Sequence, residues 1–196
     1  MKRIYIISGC NGAGKTTASY TILPEMLNCK EFVNADEIAR GLSPFNPDRV
    51  SIKAGRLMLA RIDELIEKGV DFAFETTLAT RSYVNTIKKA KEQGYLVTVL
   101  YFWLNSKELA IERVRIRVEE GGHNIPEQTI RRRYDLGISN MFNLYIPIAD
   151  YWMFIDNSRT PFEVLAEGQR IEETVKNKFV WNQLKNKYYG NKRADR

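Results

Sequence analysis

The chain has 196 residues, of which 44% are hydrophobic and 28% are charged, and its formal net charge is +6 with a pI of about 9.3. This composition is typical of one globular domain, and no apolar run approaches the roughly 20 residues that a membrane-spanning helix needs. The positive charge favours a polyanionic ligand such as a nucleotide, although it would also suit a nucleic acid.

The first predicted strand and helix enclose a glycine-rich loop. Residues 4–7 form an apolar run typical of a buried strand, which is predicted over 3–8, and a helix is predicted from the loop to about residue 27. Between them, Gly9 to Thr16 reads Gly-Cys-Asn-Gly-Ala-Gly-Lys-Thr, which matches the phosphate-loop pattern G-x-x-x-x-G-K-[ST]. A preceding strand and a following helix are the context that this pattern requires.

The phosphate loop predicts ATP and Mg²⁺ as ligands. Its backbone N–H groups attract phosphate oxygens, Lys15 reaches the β- and γ-phosphates, and the Thr16 hydroxyl is the predicted metal ligand. Lys15 is also a catalytic candidate, because phosphoryl transfer requires neutralisation of phosphate charge. We expect nucleotide contacts from Gly9, Asn11, Gly12, Ala13, Gly14, Lys15, Thr16 and Thr17.

The two cysteines, Cys10 and Cys29, are too few for a disulfide framework. Because Cys10 lies inside the phosphate loop, we expect a reducing compartment. Met1 to Arg3 lead directly into the first predicted strand, so we expect no signal peptide. These features predict a cytoplasmic protein.

Strands and helices alternate along the rest of the chain. Further strands are predicted at 31–34, 71–75, 95–104, 151–156 and 162–166, and further helices at 48–68, 82–92, 106–119, 127–145 and 172–187. This order predicts a single three-layer α/β domain over residues 1–196, a P-loop NTPase fold with a mostly parallel sheet of five to six strands. Ligands bind outside the carboxyl ends of such strands, so we expect the phosphate loop, Asp36 and Glu75 at the same edge.

Two acidic positions follow predicted strands at that edge. Asp36 is the candidate base that accepts the proton of the acceptor hydroxyl, and it would also contact the substrate. Its alternative role is to cap a helix that begins at Glu37. Glu75, with Thr76 and Thr77, is predicted to contact the acceptor hydroxyls or Mg²⁺-bound water, and its alternative role is a turn at the strand end.

Arginines crowd the segment at 113–133 and suggest a lid over the phosphates. Arg113 and Arg117 lie four residues apart on one helix face and are predicted to be catalytic. His123 and Arg132 are candidates for phosphate or substrate contact, within a lid of about residues 113–134. The alternatives are a solvated helix face for the arginines and a turn residue for His123.

These segments together resemble the zeta toxin family of P-loop kinases, especially its shorter bacterial members. Besides the phosphate loop, the resemblance rests on Asn-Ala-Asp-Glu at 34–37, Phe-Glu-Thr-Thr at 74–77, Gly-Gly-His at 121–123 and Arg-Arg-Arg at 131–133, in this order. It implies a nucleoside-monophosphate-kinase-like fold with a helical lid. It also implies that ATP phosphorylates a sugar hydroxyl, with UDP-N-acetylglucosamine as the acceptor known for family toxins.

The resemblance also implies residue roles and a partner. Asp36 corresponds to the acceptor-activating aspartate, Glu75 and Thr77 to acceptor contacts, and Arg113 or Arg117 to the lid arginine. Family toxins place a second arginine in the lid turn, where this chain has His123. A nucleotide sugar is the expected substrate, and a small helical antitoxin is the partner that the family suggests.

Two other functions are compatible with these residues. One is a kinase of the same fold that phosphorylates another acceptor, such as a nucleotide or an antibiotic hydroxyl, since the fold does not determine the acceptor. The other is a nucleotide-dependent switch or nucleic-acid-binding ATPase that uses the basic surface. We expect neither a membrane nor a nucleic acid as the partner.

Overall fold

The computed structural model describes residues 1–122, 124–169 and 172–190, and these form one seven-stranded sheet with surrounding helices. The strands are β1 (Lys2–Gly9), β2 (Phe32–Val33), β3 (Phe72–Thr76), β4 (Tyr95–Trp103), β5 (Tyr151–Asp156), β6 (Glu163–Gln169) and β7 (Glu172–Val175). The helices are α1 (Lys15–Thr21), α2 (Ala35–Leu42), α3 (Ser51–Lys68), α4 (Tyr83–Glu92), α5 (Lys107–Glu119), α6 (Glu127–Asn140) and α7 (Lys178–Tyr188).

The strand order is β2-β3-β1-β4-β5-β6-β7. The first five strands are parallel, and β6 and β7 extend the sheet with antiparallel pairing. The predicted α/β fold with a mostly parallel sheet is confirmed. The predicted count of five to six strands is too low, because the described residues form seven.

The predicted C-terminal helix at 172–187 requires a correction. Its first part, Glu172–Val175, is the strand β7, which pairs with β6 from Ala166 to Gln169, and the helix α7 begins only at Lys178. The edge of β6 offers unpaired backbone groups, and pairing with them satisfies the backbone of this short segment. Because this pairing uses backbone groups, no pattern of side chains in the sequence distinguishes the strand from a helix.

Two of the α-helices are followed directly by π-helical turns. After α1, the chain forms a π-helical turn over Ile22–Met26, and a similar turn over Met141–Tyr145 follows α6. The first turn contains Pro24, which cannot donate a backbone hydrogen bond, so the wider turn lets the chain continue around it.

The core lies on both sides of the parallel strands. Six of the eight residues of β1 are buried, and all of β4 except Leu96 and Thr98 is buried, as is typical of strands covered on both faces. The helix α7 is attached through Trp181, whose ring stacks on Trp152 with centroids 5.5 Å apart. Of the helices described, none combines the length and apolarity that a membrane crossing would need.

Candidate active site

A cleft of about 510 Å³ lies beyond the carboxyl ends of β1, β2 and β3. Because these strands are parallel neighbours, the polar residues that follow them meet at one edge of the sheet. The residues of the cleft that bear on the chemistry are Asn11, Gly12, Gly14, Lys15, Thr16, Thr17, Asn34, Asp36, Glu37, Arg40, Glu75, Thr76, Thr77, Arg113, Arg117 and Arg133. The expected meeting of the phosphate loop, Asp36 and Glu75 is therefore observed.

The phosphate loop has the backbone of an anion-binding turn. Gly12 and Gly14 have φ values of +78° and +80°, which L side chains rarely adopt. A Cβ at Gly12 would lie 2.7 Å from the carbonyl oxygen of Ala110, and one at Gly14 would lie 2.7 Å from Asn157 Nδ2. At Gly12 the backbone of α5 therefore excludes a side chain, and at Gly14 the positive φ disfavours one.

Lys15 and Thr16 both contact the carboxylate of Glu75. Lys15 Nζ donates to the carbonyl oxygen of Cys10 at 2.9 Å and lies 3.6 Å from Glu75 Oε1. Thr16 Oγ1 donates to Glu75 Oε2 at 2.8 Å. The Lys15 and Glu75 side chains are only 7% and 9% exposed, so the ion pair is shielded from solvent. Burial raises the pKa of the Cys10 thiol to about 11, which keeps it neutral inside the loop.

These donors fit Mg²⁺. A threonine hydroxyl and a carboxylate are hard oxygen groups of the kind that Mg²⁺ prefers. Across residues 1–122, 124–169 and 172–190, no cluster of three or more His, Cys, Asp or Glu side chains could enclose a metal. Mg²⁺ usually binds one or two protein groups and otherwise phosphates and water. When bound, Mg²⁺ would neutralise charge on the β- and γ-phosphates.

Asp36 lies exposed in the first turn of α2 and lines the cleft. The cap of this helix is Asn34, whose Oδ1 accepts a hydrogen bond from the backbone N–H of Asp36 at 2.8 Å. The alternative that Asp36 caps a helix from Glu37 is therefore wrong, because α2 begins at Ala35. The Asp36 side chain is not needed for capping, which is compatible with the predicted role as the base.

The polar residues at the end of β3 line the cleft and also form a turn. Glu75, Thr76 and Thr77 all line the cleft. The Thr76 and Thr77 hydroxyls also accept hydrogen bonds from the backbone N–H groups of Leu78 at 3.1 Å and Ala79 at 3.4 Å. The predicted strand-end turn is thus present, and contact of these residues with an acceptor stays a prediction.

Arg113 and Arg117 both line the cleft from α5. Arg113 Nη1 donates to the carbonyl oxygen of Asn157 at 2.9 Å, and Nη2 donates to that of Ser158 at 3.2 Å. Asn157 Nδ2 donates in turn to the carbonyl oxygen of Ala13 at 2.8 Å. Arg113 therefore fastens the loop after β5 beside the phosphate loop, in addition to facing the cleft.

The arginines of α6 have three different environments. Arg131 bonds Glu108 and Glu127 on the surface, and Arg132 is exposed and is not a residue of the cleft. Arg133 lines the cleft, and its Nη1 donates to Asn11 Oδ1 at 3.3 Å. Burial lowers the pKa of Arg133, and the nearby charge of Asp36 opposes that shift. The geometry favours Arg133 over the predicted Arg132.

The turn between α5 and α6 begins with a glycine stop. Gly121 has a φ of +88°, and the N–H of Gly122 donates to the carbonyl oxygen of Arg117 at 2.8 Å, as in a Schellman motif. The predicted site residue His123 lies outside the described residues. Closure of the segment as a lid stays a prediction.

Three residues of this site were not predicted from the sequence. Asn34 was recognisable as a helix cap because it directly precedes the start of α2. Arg133 could not be separated from its neighbours, because the rotation of α6 about its axis is set by packing. Asn157 left no signal, since it bonds Ala13, which is 144 residues away in the chain.

This chain is similar in sequence to a protein family and to a bacterial protein. The family model described as Zeta toxin matches residues 1–141 of this chain. A protein of Haemophilus influenzae, described as uncharacterized, is 32% identical over 126 residues, which are 64% of this chain and 88% of that protein.

Solved structures share the fold at low sequence identity. A structure of AvrRxo1-ORF1:-ORF2 with ATP has a TM-score of 0.75 at 15% identity over 94% of this chain, which spans only 63% of the AvrRxo1 chain. A structure from the PezAT toxin-antitoxin system of Streptococcus pneumoniae has a TM-score of 0.63 at 16% identity, covering 96% of this chain and 78% of that chain. These similarities confirm the predicted α/β fold.

Proposed function

This chain belongs to the zeta toxin family of ATP-dependent P-loop kinases, and we propose that its acceptor is a hydroxyl of a nucleotide sugar, with UDP-N-acetylglucosamine as the first candidate. The observation that carries the proposal is the position of Asp36. Its exposed carboxyl shares one cleft with Lys15 and Thr16 of the phosphate loop.

Each part of the cleft has a role in phosphoryl transfer. Lys15 would exchange its contact with Glu75 for the β- and γ-phosphates, and the Thr16 hydroxyl would hold Mg²⁺. Asp36 would accept the proton of the acceptor hydroxyl as that oxygen bonds to the γ-phosphorus and the bond from the γ-phosphorus to the bridging oxygen breaks, which releases ADP. Arg113, Arg117 and Arg133 bring positive charge to the cleft, where charge on the transferred group needs stabilisation.

The lining of the cleft is compatible with a substrate that is both charged and partly apolar. Arg40 lines the cleft from α2 and could pair with a substrate phosphate, while Met58 and Tyr83 supply apolar surface. A volume of about 510 Å³ is in the range of small-molecule sites. A kinase that phosphorylates a nucleotide or an antibiotic hydroxyl would use the same ATP site.

Two further proposals follow from the family and from the phosphate loop. The structure from Streptococcus pneumoniae belongs to a toxin-antitoxin system, which supports a small antitoxin as the partner of this chain. The buried Cys10 thiol within the phosphate loop supports a reducing, cytoplasmic location. Neutralisation by the product of a neighbouring gene, measured as loss of ADP release, tests the partner.

A screen for ADP release with nucleotide sugars, nucleotides and aminoglycosides tests the acceptor. We expect acceptor-dependent ADP release with a nucleotide sugar. Asp36→Asn should slow that release by about 10²-fold or more, with ATP affinity nearly unchanged, because it removes the proton acceptor but no phosphate contact. Asp63→Asn changes the same charge at an exposed position of α3 and serves as the control.

Three results would contradict this proposal. ADP release that occurs only with another class of acceptor would show that the acceptor is not a nucleotide sugar. A loss of ATP affinity in Asp36→Asn, absent from Asp63→Asn, makes Asp36 a metal or structural group instead of the base. Salt-sensitive binding of DNA or RNA without acceptor-dependent turnover would favour the nucleic-acid alternative.

A further inference from the structure

The side chain of Asn34 makes two different hydrogen bonds from a buried position at the end of β2. It is only 6% exposed. Its Oδ1 accepts from the backbone N–H of Asp36 at 2.8 Å, and its Nδ2 donates to Glu75 Oε2 at 3.0 Å. The two bonds fix which end of the amide faces which partner, because Oδ1 only accepts and Nδ2 only donates.

The second bond leads to the predicted metal ligand. Glu75 Oε2 accepts from Asn34 Nδ2 and also from Thr16 Oγ1, at 2.8 Å. A hydroxyl that ligates a metal uses an oxygen lone pair, so its proton must point to another acceptor. Glu75 Oε2 receives that proton and thereby orients the lone pairs of Thr16, as partners of metal ligands generally do.

We propose that Asn34 is a positioning residue that holds the Mg²⁺-binding hydroxyl and the catalytic base in a fixed relation. The chain of contacts runs from Thr16 through Glu75 to the Asn34 amide and on to the backbone of Asp36. This inference rests on the proposed function, which makes Thr16 the metal ligand and Asp36 the base.

Helix capping alone does not account for asparagine at this position. Aspartate and serine cap helices about as well, because a side-chain oxygen is all that the cap requires. Neither can donate from the same place to Glu75, since aspartate has no donor and serine is too short to cap and reach Glu75 together. Asn34 alone meets both requirements at its position.

The variant Asn34→Asp separates capping from positioning. It keeps the oxygen that caps the helix. In place of the amide Nδ2, which donates to Glu75 Oε2 at 3.0 Å, it puts a second carboxylate oxygen that repels Glu75. The matched control is Asn177→Asp, because Asn177 caps α7 in the same way, with its Oδ1 accepting from the N–H of Val180 at 3.2 Å. Asn177 is not a residue of the cleft.

Calorimetric titration with ATP, in Mg²⁺ and in excess EDTA, gives a readout that does not depend on turnover. We expect Asn34→Asp to weaken ATP binding about 10-fold or more in Mg²⁺ and to leave binding in EDTA unchanged, since partners of metal ligands typically contribute 10- to 100-fold to metal affinity. Steady-state kinetics should show a lower kcat with little change in the KM for the acceptor. Asn177→Asp should match the wild type in every measurement.

A second pair of variants keeps the inference testable if Asn34→Asp unfolds. Asn34→Ser retains a cap without a second carboxylate, and it should show a smaller loss of the same Mg²⁺-dependent kind. Adding Glu75→Gln to Asn34→Asp removes the repulsion between carboxylates, so the double variant should bind ATP in Mg²⁺ more tightly than Asn34→Asp alone.

The outcomes distinguish this inference from the proposed function. Equal loss of ATP binding with and without Mg²⁺, or wild-type binding and kcat in Asn34→Asp and Asn34→Ser, would overturn the positioning role. A wild-type protein that accepts no nucleotide sugar would overturn the proposed acceptor, while a Mg²⁺-specific loss in Asn34→Asp would still support the contact between Asn34, Glu75 and Thr16.

Discussion

Two groups of ion pairs in this protein differ in exposure and in distance. In the cleft, Lys15 lies 3.6 Å from Glu75, and both side chains are less than a tenth exposed. On the surface, Arg61 bonds Glu31 and Glu64 at 2.8 Å, and Lys68 bonds Glu64 at 2.5 Å, with all four side chains at least 38% exposed. The shorter contacts are those that water and salt screen most.

A short distance between charges is therefore a poor measure of how much an ion pair matters for function. The surface pairs contribute little to the stability of the fold, because solvent competes for each charge. The pair in the cleft is looser, yet it leaves the Lys15 ammonium beside the phosphate loop in a shielded site. There an incoming phosphate can replace Glu75 as the counter-charge, so the looser pair is the one suited to exchange.

Lys15→Ala should reduce turnover more than any other substitution proposed for this protein. Turnover should fall by roughly 10³-fold or more, the upper end of the loss for one preorganised electrostatic contact. Lys68→Ala also removes a lysine that bonds a glutamate, but on the surface, and it should leave turnover unchanged. The turnover of both variants is measured as ADP release. Normal turnover in Lys15→Ala would refute the phosphate-loop interpretation.

A smaller effect is expected from Arg133→Ala, with Arg131→Ala as its control on the same helix. Arg133 faces the cleft beside Asn11, so its loss should lower kcat by about 10²-fold. Arg131 bonds only surface glutamates among the described contacts, so its loss should leave kcat unchanged. If both variants keep full activity while Arg133→Ala melts at a lower temperature, the Arg133 contact is structural.

The smallest effect is expected from Glu64→Gln in the surface group. Hydrogen bonds from Lys68 and Arg61 lower the pKa of Glu64 from 4.5 to about 2. A lowered pKa stabilises the fold above the unfolded value, so the contribution is present above about pH 4.5 and is lost as the pH falls towards about 2. Melting temperatures of wild type and Glu64→Gln should differ slightly at neutral pH and converge in acid. A difference that persists at pH 2 would contradict this origin.

Much of the fold was predictable because its signals are local. Apolar runs bounded by turns predicted the five parallel strands, and the bounds of β5 agree with the prediction. The strand β7 was missed because an edge strand is held by backbone pairing that does not depend strongly on side-chain pattern. In the cleft, Arg113 and Arg117 were predicted from their helical spacing, whereas Arg133 depended on the rotation of α6.

The phosphate loop is encoded locally, because glycine backbones and adjacent lysine and threonine side chains define it within eight residues. The distant groups that complete the site are instead set by tertiary packing. Glu75 meets Thr16 because β3 lies beside β1, and Asn157 reaches Ala13 because the loop after β5 returns to the phosphate loop. Contacts of this kind depend on strand order and packing, which arise from the whole chain and not from the residues that make the bond.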